Sequence, residues 1–154
     1  MKKIFICMVL IAVLIPVSTA ASEHRSSFGA GIILGEPTGV SMKLWTGGST
    51  AVQGAVAWSF TEHTNLHLHA DYIWHRWNLI QVEKGSLPLY FGVGGRLRLR
   101  DEVDDTLGVR FPVGLAYEFA DAPFDLFLEL VPVLDLTPSS EFDLNAALGG
   151  RYYF

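Results

Sequence analysis

Apolar and polar residues alternate with a period of two along most of the chain, which predicts β-strands whose two faces meet different surroundings. Clusters of Gly, Pro, Asp, Ser and Thr separate the alternating segments and predict turns. The pattern predicts eight strands, at residues 28–34, 40–45, 51–60, 65–79, 88–100, 107–119, 124–136 and 142–154. An even number of strands lets an antiparallel up-and-down meander close into a barrel with both termini at one end.

The two faces of these strands differ in charge. One face carries Leu, Phe, Val, Tyr and Trp at alternate positions and almost no charged residue. The other face carries many glycines and most of the charged residues, among them Arg100 and Asp135. On this face we predict an ion-pair network of Lys43, Asp71, Arg96, Arg98, Arg110, Glu118, Asp125, Glu129, Asp143 and Arg151.

The size of the barrel decides which face points inward. The interior of an eight-stranded barrel is only just wide enough to be filled by side chains, so the large apolar residues would overfill it. Overpacking costs about 1–3 kcal/mol even for modest insertions. A charge that faced lipid near the bilayer midplane would cost roughly 2–4 kcal/mol. The charged, glycine-rich face is therefore expected to line the lumen, where cations and anions can pair.

Aromatic residues lie near the ends of the predicted strands, where amphipathic rings settle at the level of lipid headgroups. These residues are Trp45, Trp58, Phe60, Tyr117, Phe119, Phe124, Phe142, Tyr152 and Phe154. Together the patterns predict an all-β fold, an eight-stranded antiparallel up-and-down transmembrane β-barrel. A periplasmic barrel of the lipocalin kind is the alternative architecture.

Two prolines fall inside predicted strands. Pro112 and Pro132 each remove a hydrogen-bond donor from the ladder, and a closed barrel has no edge strand to accommodate them. If the strands that contain them pair through the turn at residues 120–123, the two prolines lie nearly opposite each other. This placement predicts a single local β-bulge.

The first 21 residues have the three parts of a secretory signal peptide. Lys2 and Lys3 precede an apolar run at residues 4–17, and small residues at 18–20 follow it. Cleavage is expected after Ala20 or Ala21, which leaves residues 22–154 as a barrel domain in the cell outer membrane. The one cysteine of the chain, Cys7, lies in the segment that is removed, so no thiol or disulfide is expected in the mature protein.

The charge of the chain bears on its partners. The formal net charge is −5, and removal of Lys2 and Lys3 makes it more negative. A negative charge argues against nucleic acid as a partner. We expect outer-membrane lipids and the barrel-assembly machinery as partners, no cofactor, and a monomer.

Several runs also resemble a known family. They are GAGIILGEPTGVSMKLW at residues 29–45, HLHADYIWH at 67–75, LPLYFGVGGRLR at 87–98, DLFLELVPVLDL at 125–136 and the terminal GGRYYF. Across essentially the whole mature chain, the sequence is similar to small bacterial outer-membrane β-barrel proteins of uncharacterised function. The resemblance implies a barrel of the OmpA and OmpX type. It also implies that Phe154 is the terminal aromatic residue presented to the assembly machinery.

Other residues are weaker candidates for a metal or catalytic site. His67 and His69 share one face of a strand and could chelate a metal if a neighbouring strand supplied a third ligand. No complete ligand set is visible, so we favour lumen hydrogen bonding to Arg or carboxylate and predict no metal site. The acidic loop at residues 101–105 lacks the spacing of a calcium loop. Ser41 and Ser59 are the serines on or near strands, and no Gly-x-Ser-x-Gly motif is present. We therefore predict no enzymatic activity.

The function predicted from these patterns is a structural or surface-interaction role for a barrel with a closed lumen. A narrow channel and a lipid-modifying enzyme remain as alternatives. In barrels of this class both termini lie in the periplasm, which places the turns at residues 36–38, 61–64, 101–106 and 137–141 outside.

Overall fold

The fold consists of antiparallel β-strands. The computed structural model describes residues 27–35, 38–59, 65–100, 104–137 and 139–154. Within these ranges the strands are β1 (Phe28–Gly35), β2 (Gly39–Trp45), β3 (Thr50–Ser59), β4 (Asn65–Arg76), β5 (Leu89–Arg100), β6 (Thr106–Arg110), β7 (Val113–Glu118), β8 (Phe124–Thr137) and β9 (Glu141–Tyr153). No helix in the described part of the chain has the length and apolarity needed to cross a membrane. The predicted signal peptide and the residues Glu36, Glu62, Asp101 and Glu102 lie outside the described residues.

The strands form one ring-like sheet. Each strand from β1 to β5 pairs with the next along the chain, β5 pairs with both β6 and β7, and these two pair with β8. β8 pairs with β9, and β9 returns to β1 through pairs such as Arg151 with Gly31. This last pairing closes the ring. The prediction of an all-β, antiparallel barrel is confirmed.

The described residues form nine strands where the sequence pattern predicted eight, because Pro112 divides the sixth. Arg110 pairs with Gly94 and Val113 pairs with Phe91, so the register against β5 is the same on both sides of the break. In an antiparallel hydrogen-bonded pair the two residues exchange both backbone bonds. Pro112 accepts from Gly92 at 2.9 Å, but it has no N–H with which to return the bond.

The predicted bulge at the two prolines is wrong. Phe111 donates to the carbonyl of Pro132 at 2.9 Å, and Pro132 cannot return that bond either. The register against β8 is nevertheless kept from Arg110 to Val113. The register shift lies further along β6, between Leu107 and Gly108. The prolines therefore remove donors without adding a residue to either strand.

Alternation along the strands separates a polar interior from an apolar exterior. In β8, Asp125, Glu129 and Asp135 are buried, and the leucines between them are exposed. Glu129 is 2% exposed and its neighbour Leu130 is 53% exposed. Side chains on opposite faces of a strand thus follow the parity that the sequence predicts, with the charged face inside the ring.

Glycines make room for the largest interior rings. Gly114 pairs with Tyr90 across β7 and β5, and a Cβ atom at Gly114 would collide with the Tyr90 ring. Gly149 stands in the same relation to Phe127 across β9 and β8. The glycines of the charged face therefore leave the space that these rings occupy in a narrow interior.

Candidate functional site

The centre of the lumen is an ion-pair cluster around Arg110. Its Nε atom lies 2.8 Å from Asp71 Oδ1, and its Nη2 atom lies 3.4 Å from Glu129 Oε1. Tyr90 donates its hydroxyl hydrogen to Glu129 Oε2 at 2.8 Å, and Gln53 donates to the same atom at 3.1 Å. Side chains from β3, β4, β5, β6 and β8 thus converge at one level of the barrel.

A second cluster lies nearer the end of the barrel where β1 begins and β9 ends. Arg151 Nε lies 3.2 Å from Asp125 Oδ1, and the Tyr153 hydroxyl donates to Asp125 Oδ2 at 2.5 Å. Arg151 also donates to Gln53 at 3.4 Å and packs over the ring of Phe127, with 4.1 Å between the guanidinium carbon and the ring centroid. Gln53 therefore links this cluster to the central one.

A third cluster lies towards the opposite end. Arg96 binds Asp135 through two hydrogen bonds, Nε to Oδ1 at 2.9 Å and Nη2 to Oδ2 at 2.6 Å. Asp143 lies 3.6 Å from Arg96 and 3.8 Å from Arg98, and both Asp143 and Arg98 are partly exposed. The strongest pair here uses Asp135, which the predicted network left out although it has the parity of the charged face.

Lys43 contacts mainly the rings of histidine and aromatic side chains. Its Nζ atom donates to His75 Nε2 at 2.9 Å and lies 4.2 Å from the centroid of the Trp45 ring. The Trp45 and His75 rings are 4.3 Å apart, and Trp77 and Tyr90 pack against His75. Trp45 is therefore on the lumen side, and its predicted place among the lipid-facing aromatic residues is wrong.

The structure brings most of the predicted network into these clusters. Glu118 is also buried and lies opposite Asp125 in the pairing of β7 with β8. The sequence pattern missed three uncharged residues of these clusters, Gln53, Tyr90 and Tyr153. Their alternate positions on the charged face could have identified them, but only charged residues were counted in the sequence pattern.

The two histidines weighed as metal ligands, His67 and His69, lie beside each other. The rings of His67 and His69 meet edge to face at 5.6 Å, and His69 Nε2 lies 4.0 Å from Asp71 Oδ2. Among the residues that the structure describes, no three His, Cys, Asp or Glu side chains form a group suited to a metal ion. His69 instead belongs to the surroundings of the central cluster.

The remaining candidates take different places. Ser41 is buried, and its neighbours across the sheet are Gly31 and Ala55, which offer no acid or base. A polar cavity of about 430 Å³ opens at the end of the barrel opposite the start of β1 and the end of β9. Its lining consists of Arg98, Arg100, Thr106, Asp135, Thr137, Ser139, Glu141, Phe142 and Asp143.

The last residue lies on the outer surface at the seam that closes the ring. Phe154 is 70% exposed, stacks on Phe28 with ring centroids 6.4 Å apart, and contacts the edge of Tyr152. Its backbone N–H donates to the carbonyl of Phe28 at 3.1 Å. The terminal ring is thus fixed to the first strand and remains accessible.

Aromatic rings gather on the outer face around this same end. Tyr117 contacts Phe119 at 4.9 Å, and Phe119 contacts Phe124 at 5.7 Å. Phe124 pairs across the sheet with Tyr152, which leads to the Phe154 seam. On the adjoining strands β4 and β5, Trp74 contacts Tyr72 and Phe91. We call the outer-face rings of Tyr72, Trp74, Phe91, Tyr117, Phe119, Phe124, Tyr152 and Phe154 the aromatic girdle.

Comparison with known proteins supports the architecture. No protein-family profile and no curated protein sequence matches the chain. The N-terminal β-barrel domain of Pseudomonas aeruginosa OprF has a similar structure, with a TM-score of 0.57 and 14% sequence identity. The match covers 85% of this chain and 100% of that domain. The likeness supports the OmpA-type barrel that the resemblance implied, but not the particular family of small uncharacterised barrels.

Proposed function

We propose that the protein is an integral outer-membrane β-barrel with a closed, ion-paired lumen and a structural or surface-interaction role. The observation that carries the proposal is the distribution of its side chains. Large apolar residues are exposed along every side of the ring, and the fully buried side chains include Arg96, Arg110 and Arg151. Water would disfavour such an exterior, whereas the hydrocarbon core of a bilayer would solvate it.

The closed sheet supports the same environment. Backbone N–H and C=O groups in hydrocarbon must be satisfied within the protein, and a ring of paired strands satisfies nearly all of them. The aromatic girdle lies where one headgroup region would be. The likeness to the OprF domain supports the barrel architecture that this proposal requires.

The filled lumen favours an anchor over a channel. Arg110, Tyr90 and Arg151 are almost fully buried at neighbouring levels of the interior, and hydrogen bonds connect them through Glu129 and Gln53. An interior of this width that is filled with connected side chains leaves no continuous water path. We propose that the protein acts without catalysing a reaction.

The proposal includes two partners. Outer-membrane lipids would surround the apolar exterior, and one copy of the chain would suffice because the sheet closes on itself. The accessible ring of Phe154 at the closing seam is the group that the barrel-assembly machinery would bind.

Two arginine substitutions on one strand test the membrane environment. Leu130 lies near the middle of β8 and Leu136 lies near its end, and both are exposed. In lipid vesicles, Leu130→Arg should lower the free energy of unfolding by about 2–4 kcal/mol, and Leu136→Arg by about 0–1 kcal/mol, because the cost falls towards the interface.

Urea titration of the reconstituted variants measures the difference. A barrel whose exterior faces water would tolerate both substitutions almost equally, and that result would reject the proposal. Fractionation of cells gives an independent check, since the unmodified protein should partition with outer membranes.

A further inference from the structure

The connection from β4 to β5, residues 77–88, differs from the other turns at its end of the barrel. It is longer than the turns at residues 46–49 and 119–123, although turns at the periplasmic end of such barrels are usually short. It also exposes aliphatic side chains: Leu79 is 63% exposed, Ile80 is 40% and Val82 is 37%. A turn in water would not normally present such a group.

Hydrogen bonds fix both limbs of this connection. In the first limb, Trp77 donates from Nε1 to the carbonyl of Gly48 at 3.0 Å, and its ring packs at 5.9 Å from Trp45. In the second limb, Ser86 and Glu118 exchange backbone hydrogen bonds of 3.0 and 2.8 Å. The aliphatic residues therefore lie on a tethered segment and remain exposed.

The second limb lies against the outer wall of the barrel. Tyr117 donates its hydroxyl hydrogen to the carbonyl of Lys84 at 2.7 Å, and Tyr117 belongs to the aromatic girdle. Lys84 Nζ lies 2.8 Å from Asp121 Oδ2 in the next turn. The apolar segment thus continues directly from the girdle.

We propose that residues 78–84, here termed the interfacial loop, insert their aliphatic side chains into the phospholipid leaflet next to the girdle. Interfacial segments bury their apolar side chains about 5–10 Å into the boundary of headgroups and acyl chains. Within the interfacial loop the one cation, Lys84, adjoins Glu83 and pairs with Asp121, so we expect apolar contact, and not attraction to anionic lipid, to hold the loop. The inference rests on the proposed membrane insertion of the barrel.

Fluorescence quenching tests this placement. Single cysteines replace Ile80, Leu130 or Asp104 in a Cys7→Ser background, and each carries an environment-sensitive dye. The labelled proteins are reconstituted into phosphatidylethanolamine and phosphatidylglycerol vesicles with or without brominated acyl chains. Leu130 reports the lipid-facing wall, and Asp104 reports an exposed turn at the opposite end.

The dye at Ile80 should lose fluorescence to brominated lipid as the dye at Leu130 does, equally at low and high salt, while the dye at Asp104 does not. If Leu130 is quenched and Ile80 behaves like Asp104, the loop is in water and the inference fails while the membrane barrel stands. If Ile80 resists both brominated lipid and aqueous iodide, protein covers the loop and the inference also fails. Absence of quenching at Leu130 would reject the proposed function itself.

Discussion

At the scale of single residues, the interior is stabilised by polar side chains that each bind several partners. Glu129 accepts hydrogen bonds from Tyr90 and Gln53 and pairs with Arg110. Taking charges out of water is costly, and the cost is offset only when the remaining hydrogen-bonding groups are also satisfied. Glu129 therefore stabilises the interior by satisfying the hydrogen-bonding groups of several buried side chains at once.

Glu129→Ala should lower the free energy of unfolding by about 3–5 kcal/mol, because it removes the acceptor of several buried donors. Glu129→Gln should cost less, since a side-chain oxygen remains for Tyr90 and Gln53. The matched control is Glu141→Ala in the exposed start of β9, where almost no change is expected. Urea titration of the refolded variants measures all of these. Equal stability of the Glu129 and Glu141 variants to Ala would mean that water reaches the lumen.

The sequence predicted which residues face the interior, but not how they pair. The period of two is a property of the strand and can be read from spacing alone, so Arg96, Arg110 and Glu129 were placed correctly inside. Partners depend on register and side-chain conformation across different strands, which spacing does not encode. Lys43 therefore has His75 and Trp45 as close neighbours where an ion pair was expected.

At the scale of elements, strand ends were predicted to within a few residues, with two informative exceptions. Predicted strand four extended to Leu79, whereas β4 ends at Arg76. Apolar Trp77 and Leu79 flank polar Asn78 and prolong the alternation in the sequence. Asn78 has a φ of 66°, which does not fit a strand. The second exception is the division at Pro112, which separates two strands that keep one register.

Pro132→Ala should slow amide hydrogen exchange at Phe111. The new N–H at position 132 would face the carbonyl of Phe111 and complete the pair in which only Phe111 now donates. Leu115, which pairs with Leu128 further along β7, is the control and should not change. Exchange measured by NMR in micelles tests both positions. Unchanged exchange at Phe111 would show that the missing donor does not limit local opening there.

At the scale of the whole molecule, the two ends of the ring differ. The end where β1 begins and β9 ends carries the aromatic girdle, the rings around Lys43 and the interfacial loop. The opposite end carries the polar cavity and the partly exposed pair of Arg98 with Asp143. The central cluster lies between the two ends, so in the proposed closed lumen a solute that entered the cavity would meet Arg110 and its partners.

Electrical recordings test this closure. The unmodified protein should carry no steady single-channel current in planar bilayers, because connected side chains fill the lumen. Asp71→Ser with Arg110→Ser removes both members of the shortest central ion pair. Glu129 loses Arg110 as a partner but keeps its hydrogen bonds from Tyr90 and Gln53. This double variant should fold and conduct, since two large side chains of the central cluster are replaced by small ones. A reproducible current through the unmodified protein, with no increase in the double variant, would show that ions pass elsewhere in the lumen and would favour the narrow channel.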